Sequence, residues 1–193
     1  MTNTPTLETE RLILRQFQPE DADAVFAMYS DPETMKYIPM FPLTDKGQAA
    51  AYLQKEYLDY YKQPFGCRYA ICLKGNDAPI GYVHLADDES HDFGYLVRRE
   101  YWRKGIGSEA AGAVVDWLRP QLPYITATHD VNNPGSGSVM RKLGMRYCYS
   151  YKELWQPKNF WVTFRMYQLN FDGQDRIYRA YWERYPDHFI ETL

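Results

Sequence analysis

The run Arg103-Lys104-Gly105-Ile106-Gly107-Ser108 combines residue types and spacing suited to binding an anion. Two glycines stand where a helix is expected to begin, beside two cations. Backbone N–H groups with no side chain over them can approach an anion closely, and a helix N-terminus adds partial positive charge. The chemistry this predicts is the cradling of a phosphate or pyrophosphate. Gly105 to Ala110 also fits the dinucleotide pattern G-x-G-x-x-A, which would make the chain a nucleotide-dependent oxidoreductase. Such a fingerprint follows its strand directly, in the first of a series of parallel βαβ units. Here short links suited to antiparallel hairpins come first, and residues 98–104 intervene. The Walker A pattern G-x-x-x-x-G-K-[ST] is absent from the sequence.

The flanking periodicities say what must hold this loop. Residues 10–17 alternate, with Leu12 and Leu14 on one face, and predict a strand. Ala22, Val25, Phe26 and Tyr29 repeat with helical spacing and stop at Asp31-Pro32. Thr44 or Asp45 caps a second helix carrying Tyr52, Leu53, Tyr57, Tyr60 and Tyr61. Residues 67–73, 79–86 and 91–97 read as strands joined by short, turn-rich links, hence antiparallel neighbours. Ile106, Ala110, Ala113, Val114 and Trp117 mark the helix after the glycines. Residues 124–129 form a further strand. Asn133-Pro134 opens a short helix that ends at Gly144. Residues 145–154 and 160–169 form a last hairpin. Beyond it, Asp172 caps a helix with Tyr178, Tyr181, Trp182 and Tyr185 on one stripe. The fold class is therefore mixed α/β with antiparallel strands at both ends.

The chain has 193 residues, which suits a single domain with a short appendage. Its 22 Lys+Arg and 25 Asp+Glu leave a net charge of −3, which argues against a nucleic-acid partner bound through counterion release. Aromatic residues make up 17%, and that excludes a disordered chain. Cys67, Cys72 and Cys148 fit neither a disulfide framework nor a zinc site, so reduced thiols and no metal are expected. No apolar run nears the ~20 residues of a membrane span, and residues 1–5 lack the marks of a signal peptide. A cytoplasmic protein with no membrane partner is the expectation.

The residues 98–110 resemble the acyl-CoA pyrophosphate loop, R/Q-x-x-G-x-G/A, of the GNAT acetyltransferase superfamily. Asn133-Pro134-Gly135-Ser136 followed by Lys142-Leu143-Gly144-Met145 resembles a second signature of that family, N-x-x-S and then K-L-G-F/M. His91-Asp92-Phe93-Gly94-Tyr95-Leu96 is similar to its "EIGY" strand. Residues 8–15 resemble the opening strand of the branch that acetylates ribosomal-protein N-termini. The resemblance covers about residues 7–170. Two positions depart from it: Trp102 stands where many members have Gln or Arg, and Met140 where many have a Tyr that protonates the departing thiolate.

The resemblance implies a largely antiparallel central sheet with splayed middle strands, flanked by helices, over residues 1–171. Residues 172–193 are then a C-terminal aromatic helical extension, packed on the domain or on a partner subunit. It implies an acetyl-CoA-dependent N-acetyltransferase, monomer or homodimer, acting on an amine of a small molecule or a protein N-terminus. A non-catalytic acyl-CoA sensor of the same fold is the alternative. Backbone groups at Leu96 and Val97 would bind the pantetheine arm and polarise the thioester. Arg103, Lys104, Gly105, Ile106, Gly107 and Ser108 would cradle the pyrophosphate. Asn133 and Ser136 would lie near the sulfur and arm, and Arg141 or Lys142 near the adenosine end. Asp92 matches the family's occasional catalytic Glu and is the first candidate base, given a water relay or a raised pKa. His84 and His129 are the other candidate bases, and Ser136 the candidate proton donor to the thiolate. Tyr29, Tyr37, Phe41, Tyr52, Tyr149, Tyr151, Trp155 and Trp161 are expected to line the acceptor side.

Overall fold

The structure, a computed structural model, describes residues 3–193. Met1 and Thr2, part of the N-terminal stretch read above for a leader, lie outside the described residues. Hydrogen bonding is divided between two sheets, one in the order β1-β2-β3-β4-β5 and the other β6-β8-β7-β9. The first holds β1 (Leu7–Glu8), β2 (Leu12–Arg15), β3 (Arg68–Leu73), β4 (Asn76–Leu85) and β5 (Phe93–Val97). The second holds β6 (Tyr124–Asp130), β7 (Arg146–Trp155), β8 (Phe160–Asn170) and β9 (His188–Phe189). Asp92, just before β5, makes an isolated parallel bridge to Thr126 of β6. Among the described residues no helix is long and apolar enough to cross a membrane.

The chain divides into two compact units, one of residues up to Leu85 with Tyr95–Val114, the other Ala86–Gly94 with Val115–Leu193. In the first, α1 (Ala22–Tyr29), the one-turn α2 (Pro32–Met35) and α3 (Lys46–Leu53) follow β2. Asp31 does not merely stop α1. Its side chain accepts from Glu33 N and so caps α2, with Pro32 at the first helical position. Asp45 caps α3 through Gln48 N at 2.9 Å. Val25, Met28, Tyr29, Leu53, Tyr57 and Leu96 share a buried cluster with β-strand residues Ala70, Cys72 and Tyr82. Tyr29 and Tyr57 hydrogen-bond hydroxyl to hydroxyl at 2.8 Å, and Tyr29 stacks on Tyr82 at 5.9 Å.

Gly81 shows how closely β4 and β5 approach. A Cβ there would stand 2.2 Å from the Leu96 carbonyl oxygen and 3.1 Å from Val97 Cα. Both contacts are backbone, so no side chain can swing away. Gly81→Ala is expected to destabilise the fold by about 1–3 kcal/mol, the range for overpacking, read as a lower denaturant midpoint at unchanged m-value.

α4 (Ile106–Leu118) buries Ile106, Ala110, Ala111, Val114, Val115 and Leu118, whereas Ala113 and Trp117, which the sequence spacing had placed on the same stripe, are only half-buried. In the second unit α5 (Pro134–Lys142) starts at the Asn133 cap and stops before Gly144, whose φ of +80° suits the residue beyond a helix end.

The tail departs from expectation. Only α6 (Ala180–Arg184) is helical, and Asp172 caps nothing. The Gln168 side chain bonds Tyr178 N and Arg176 O, and Asn170 bonds the Gln174 and Arg176 carbonyls. Side chains of β8 thus take the backbone groups a helix would have paired internally. The aromatic stripe still buries: Tyr178, Tyr181, Trp182 and Tyr185 pack against Tyr149, Tyr151 and Phe164 of the second unit. Several tyrosines assigned to an acceptor lining are also core, since Tyr29, Tyr149 and Tyr151 are at most 3% exposed, while Phe41 and Trp161 stand out in solvent.

Candidate functional site

In the first unit the glycine loop turns through two left-handed residues. Arg103 has φ +60° and Gly105 φ +78°. Left-handed residues in a tight turn can bring neighbouring N–H groups to one side, where an anion is held. α4 begins immediately after, at Ile106. Arg103, Lys104 and Gly105 are exposed, and Gly107 and Ser108 half-exposed. A Cβ on Gly107 would meet only Val97 Cγ2, at an ordinary 3.6 Å. The site therefore fits a pyrophosphate in both charge and access. Leu96 is buried in the tyrosine cluster, and Arg98 N donates to Ile80 O at 2.8 Å. Trp102 has its own use: its indole N–H donates to the Val97 carbonyl at 2.5 Å.

A brace that sequence reading did not find holds this loop. Glu109 in the first turn of α4 accepts from Thr9 Oγ1 at 2.5 Å, Arg11 N at 3.0 Å and Arg11 Nε at 2.7 Å. Arg11 Nη1 donates in turn to the Lys104 carbonyl at 3.0 Å. These hydrogen bonds hold the Glu109 carboxyl below the usual carboxylate range against the opposing effect of burial. The partners lie about a hundred residues apart in sequence, where no local pattern links them. Arg11→Ala is expected to raise the KM for acetyl-CoA roughly 3–10-fold with kcat little changed, because it loosens the loop for about 0.7–1.4 kcal/mol. Initial rates at varied acetyl-CoA read this.

His84 also lies in the first unit, on β4. It stacks on Tyr82 at 5.2 Å. Burial, aided by the Arg68 charge, pushes its pKa down to about 4, so the ring stays neutral at physiological pH.

Asp92 belongs to the second unit. Its Oδ1 is buried without a hydrogen-bond partner. The segment itself is firmly held. Ala86 N donates to Asp92 O at 2.9 Å, Asp92 N donates to Ser90 Oγ at 3.1 Å, and Thr126 N donates to His91 O at 3.2 Å. Burial first, and then the nearby Asp88 charge, raise the carboxyl's pKa to about 7. A water relay or a raised pKa was the requirement for Asp92 to act as a base, and the second of these is met.

Asn133, Ser136 and Lys142 are in the same unit. Asn133 Oδ1 accepts from Ser136 N at 3.3 Å and so caps α5. Ser136 is half-buried and Lys142 exposed in the last turn. Met140 is buried and has no proton to give. His129 has an unpartnered Nε2 set against Gly137, where an added Cβ would fall 2.6 Å away. Burial lowers its pKa. His129 is packed by the backbone of α5.

Known proteins match this arrangement. The family described as the acetyltransferase (GNAT) domain matches residues 11–146. An uncharacterised N-acetyltransferase of Bacillus subtilis, YnaD, is 30% identical over 160 residues, which are 80% of this chain and 91% of that one. The uncharacterised N-acetyltransferase p20 of Bacillus licheniformis is 37% identical over 116 residues, which are 58% of this chain. That match spans 65% of the relative's own length. Among solved structures, a GNAT-family acetyltransferase of Bacillus anthracis superposes with a TM-score of 0.74 at 26% identity, covering 87% of this chain and 99% of that one. RimL, a ribosomal L7/L12 alpha-N-protein acetyltransferase in complex with coenzyme A, shares the fold at a TM-score of 0.76 and 14% identity, covering 88% of this chain and all of its own. The oxidoreductase reading of the glycines gives way to these matches. The chain belongs to the GNAT family of acetyl-CoA-dependent acetyltransferases.

Proposed function

We propose that this protein transfers the acetyl group of acetyl-CoA to a primary amine, on a small molecule or a protein N-terminus, by direct attack in a ternary complex. The buried Asp92 carboxyl, with Oδ1 unpartnered and a pKa near 7, carries the reading. An alkyl ammonium holds its proton to about pH 10, and an ordinary carboxylate near 4 is a poor acceptor for it. Raising Asp92 to about 7 removes roughly half of that gap. In the first unit, the N–H groups of Gly105 to Ser108 with Arg103 and Lys104 hold the pyrophosphate, and the backbone at Leu96 and Val97 orients the arm and thioester. In the second, Asp92 takes the amine's proton, Asn133 fixes the start of α5, and Lys142 offers a cation to the adenosine end. The Ser136 hydroxyl relays a proton from solvent to the departing thiolate, taking one up as it gives one, a role Met140 cannot fill. His84, held neutral and stacked, is left to the aromatic cluster.

Initial-rate kinetics with acetyl-CoA and a panel of aminoalkyl compounds and free-N-terminus peptides tests this. Intersecting double-reciprocal plots and an acetylated amine by mass spectrometry support it. Parallel plots, or an acetyl group recovered on the enzyme, would overturn it.

A further inference from the structure

The C-terminal tail is fastened to the second unit on both sides of α6. Before the helix, Tyr149 Oη donates to the Tyr178 carbonyl at 2.8 Å and Tyr178 N donates to Gln168 Oε1 at 2.7 Å. After it, Lys152 N donates to Asp187 O at 2.8 Å, and the Glu191 carboxylate accepts from Arg165 Nη2 at 2.6 Å. β9 pairs with β7, Ser150 facing Phe189. Between these fastenings Tyr181 is carried to one place. Its ring stacks on Tyr151 at 5.3 Å and meets Tyr178 edge-on at 5.3 Å. Tyr178 in turn lies 6.5 Å from Tyr124, whose hydroxyl donates to the Glu89 carbonyl at 2.6 Å, so the row of rings ends at the turn before β5.

Ser90 is 3% exposed and is the hub of the turn before β5. Its carbonyl accepts from Thr126 Oγ1 at 2.8 Å, its N–H donates to Asp88, and its Oγ accepts the Asp92 N–H. The tail's tyrosines therefore pack towards the turn that fixes the Asp92 backbone, where a carboxyl oxygen has no partner. We propose that Tyr181 is a positioning residue for the acid–base chemistry: held by the tail, its ring walls the Asp92 carboxyl off from water.

The proposal rests on Asp92 being the base. The titratable groups that face this carboxyl are Asp88 on its own loop, Tyr151 on β7 and Tyr181 on α6. Both phenols are pushed up by burial, with the carboxylate adding to the effect, and remain neutral through the working pH range. Asp88 raises Asp92 and is untouched by changes in the tail. A shift on altering Tyr181 therefore reports rehydration of the carboxyl.

The test is the pH profile of kcat/KM, together with a direct titration of Asp92 by carboxyl 13C NMR, in wild type, Tyr181→Ala, Tyr181→Phe and Ser90→Ala. Wild type should show an acid limb near 7. In Tyr181→Ala both limb and NMR midpoint should fall by about one pH unit or more as water reaches the carboxyl. Tyr181→Phe should stay close to wild type, since the ring remains. Ser90→Ala should move the same way as Tyr181→Ala by less, and it serves if that variant does not fold. An unmoved NMR midpoint in the folded variants overturns the proposal. A midpoint that moves while the activity limb does not keeps the wall and removes Asp92 from the base role, so the two readings fail separately.

Discussion

Asp92→Asn is expected to lower kcat/KM by about 10²–10⁴-fold, the usual worth of a general base, while leaving the protein folded. Asn has the size and shape of Asp but takes up no proton near neutrality. The stability side of this prediction has a definite sign. The folded-state pKa of Asp92 is about 7, above the ~3.9 of an unfolded Asp. Protons then bind the folded state more tightly. The carboxyl's contribution is fully favourable below about pH 4 and is lost as pH rises towards 7. Above 7 the wild type carries a buried carboxylate with an unpartnered oxygen, and the variant does not. Denaturant midpoints should therefore favour Asp92→Asn increasingly between pH 4 and 7. A variant that loses activity while gaining stability at pH 8 marks a site kept for chemistry rather than for folding. Full activity in Asp92→Asn on an amine that wild type acetylates would sink the base role.

What could be read in the sequence was whatever is local. Glycines beside cations marked the anion loop, and the φ of +78° at Gly105 is what glycine permits, whereas the +60° at Arg103 is a conformation its residue type does not announce. Asn133-Pro134 and Gly144 marked both ends of α5 because caps and stops act over a few residues. The brace from Arg11 to Glu109 was not legible, since both look like solvated charges until the fold brings them together. Tyrosine type did not say which side of a sheet is dry. Tyr29, Tyr149 and Tyr151 became core, while Trp161 stayed exposed. The tail's helical spacing was real, but Gln168 and Asn170 outcompeted the helix for its backbone groups. Asp92 was picked out by position. Its raised pKa comes from burial first and from the Asp88 charge second, and burial is a product of the whole packing that no local pattern shows.

The aromatic excess is resolved by the same packing. In the first unit tyrosines back β4 and β5, and in the second they clamp the tail against β7 and β8. The first set packs against the strand that bears Leu96, and the second holds the tail. Tyr suits both places because its ring buries while its hydroxyl finds a partner, as Tyr29 does in Tyr57 and Tyr149 in the Tyr178 carbonyl.

Arg15→Ala is expected to be the most destabilising single change, at about 3–5 kcal/mol, with catalysis at low temperature preserved. All five guanidinium N–H groups of Arg15 are used. Nη1 donates to Asp21 Oδ2 at 2.7 Å and Gln16 O at 2.9 Å, and Nη2 to Asp21 Oδ1 at 3.0 Å and Asp77 O at 2.7 Å. Nε donates to Asp77 Oδ1 at 2.8 Å. The side chains of Arg15 and Asp21 are 10% and 8% exposed, so removing the cation strands a buried carboxylate. One side chain here ties β2 to the turn at Pro19–Asp21 and to the start of β4. Against a total of ~5–15 kcal/mol, the loss should lower Tm by roughly 6–20 °C at about 2–4 °C per kcal/mol. Arg15→Lys should recover only part of this, because an ammonium has three donors and no planar fork. Arg15→Met combined with Asp21→Leu should recover more than Arg15→Lys, since the pair is then replaced and not broken. In every folded member of the series the acid limb of kcat/KM should stay where wild type has it, because Arg15 lies in the first unit and the groups that set the Asp92 titration lie in the second. A limb that moved with Arg15 would show that the carboxyl's shelter depends on the fold as a whole and not on the tail.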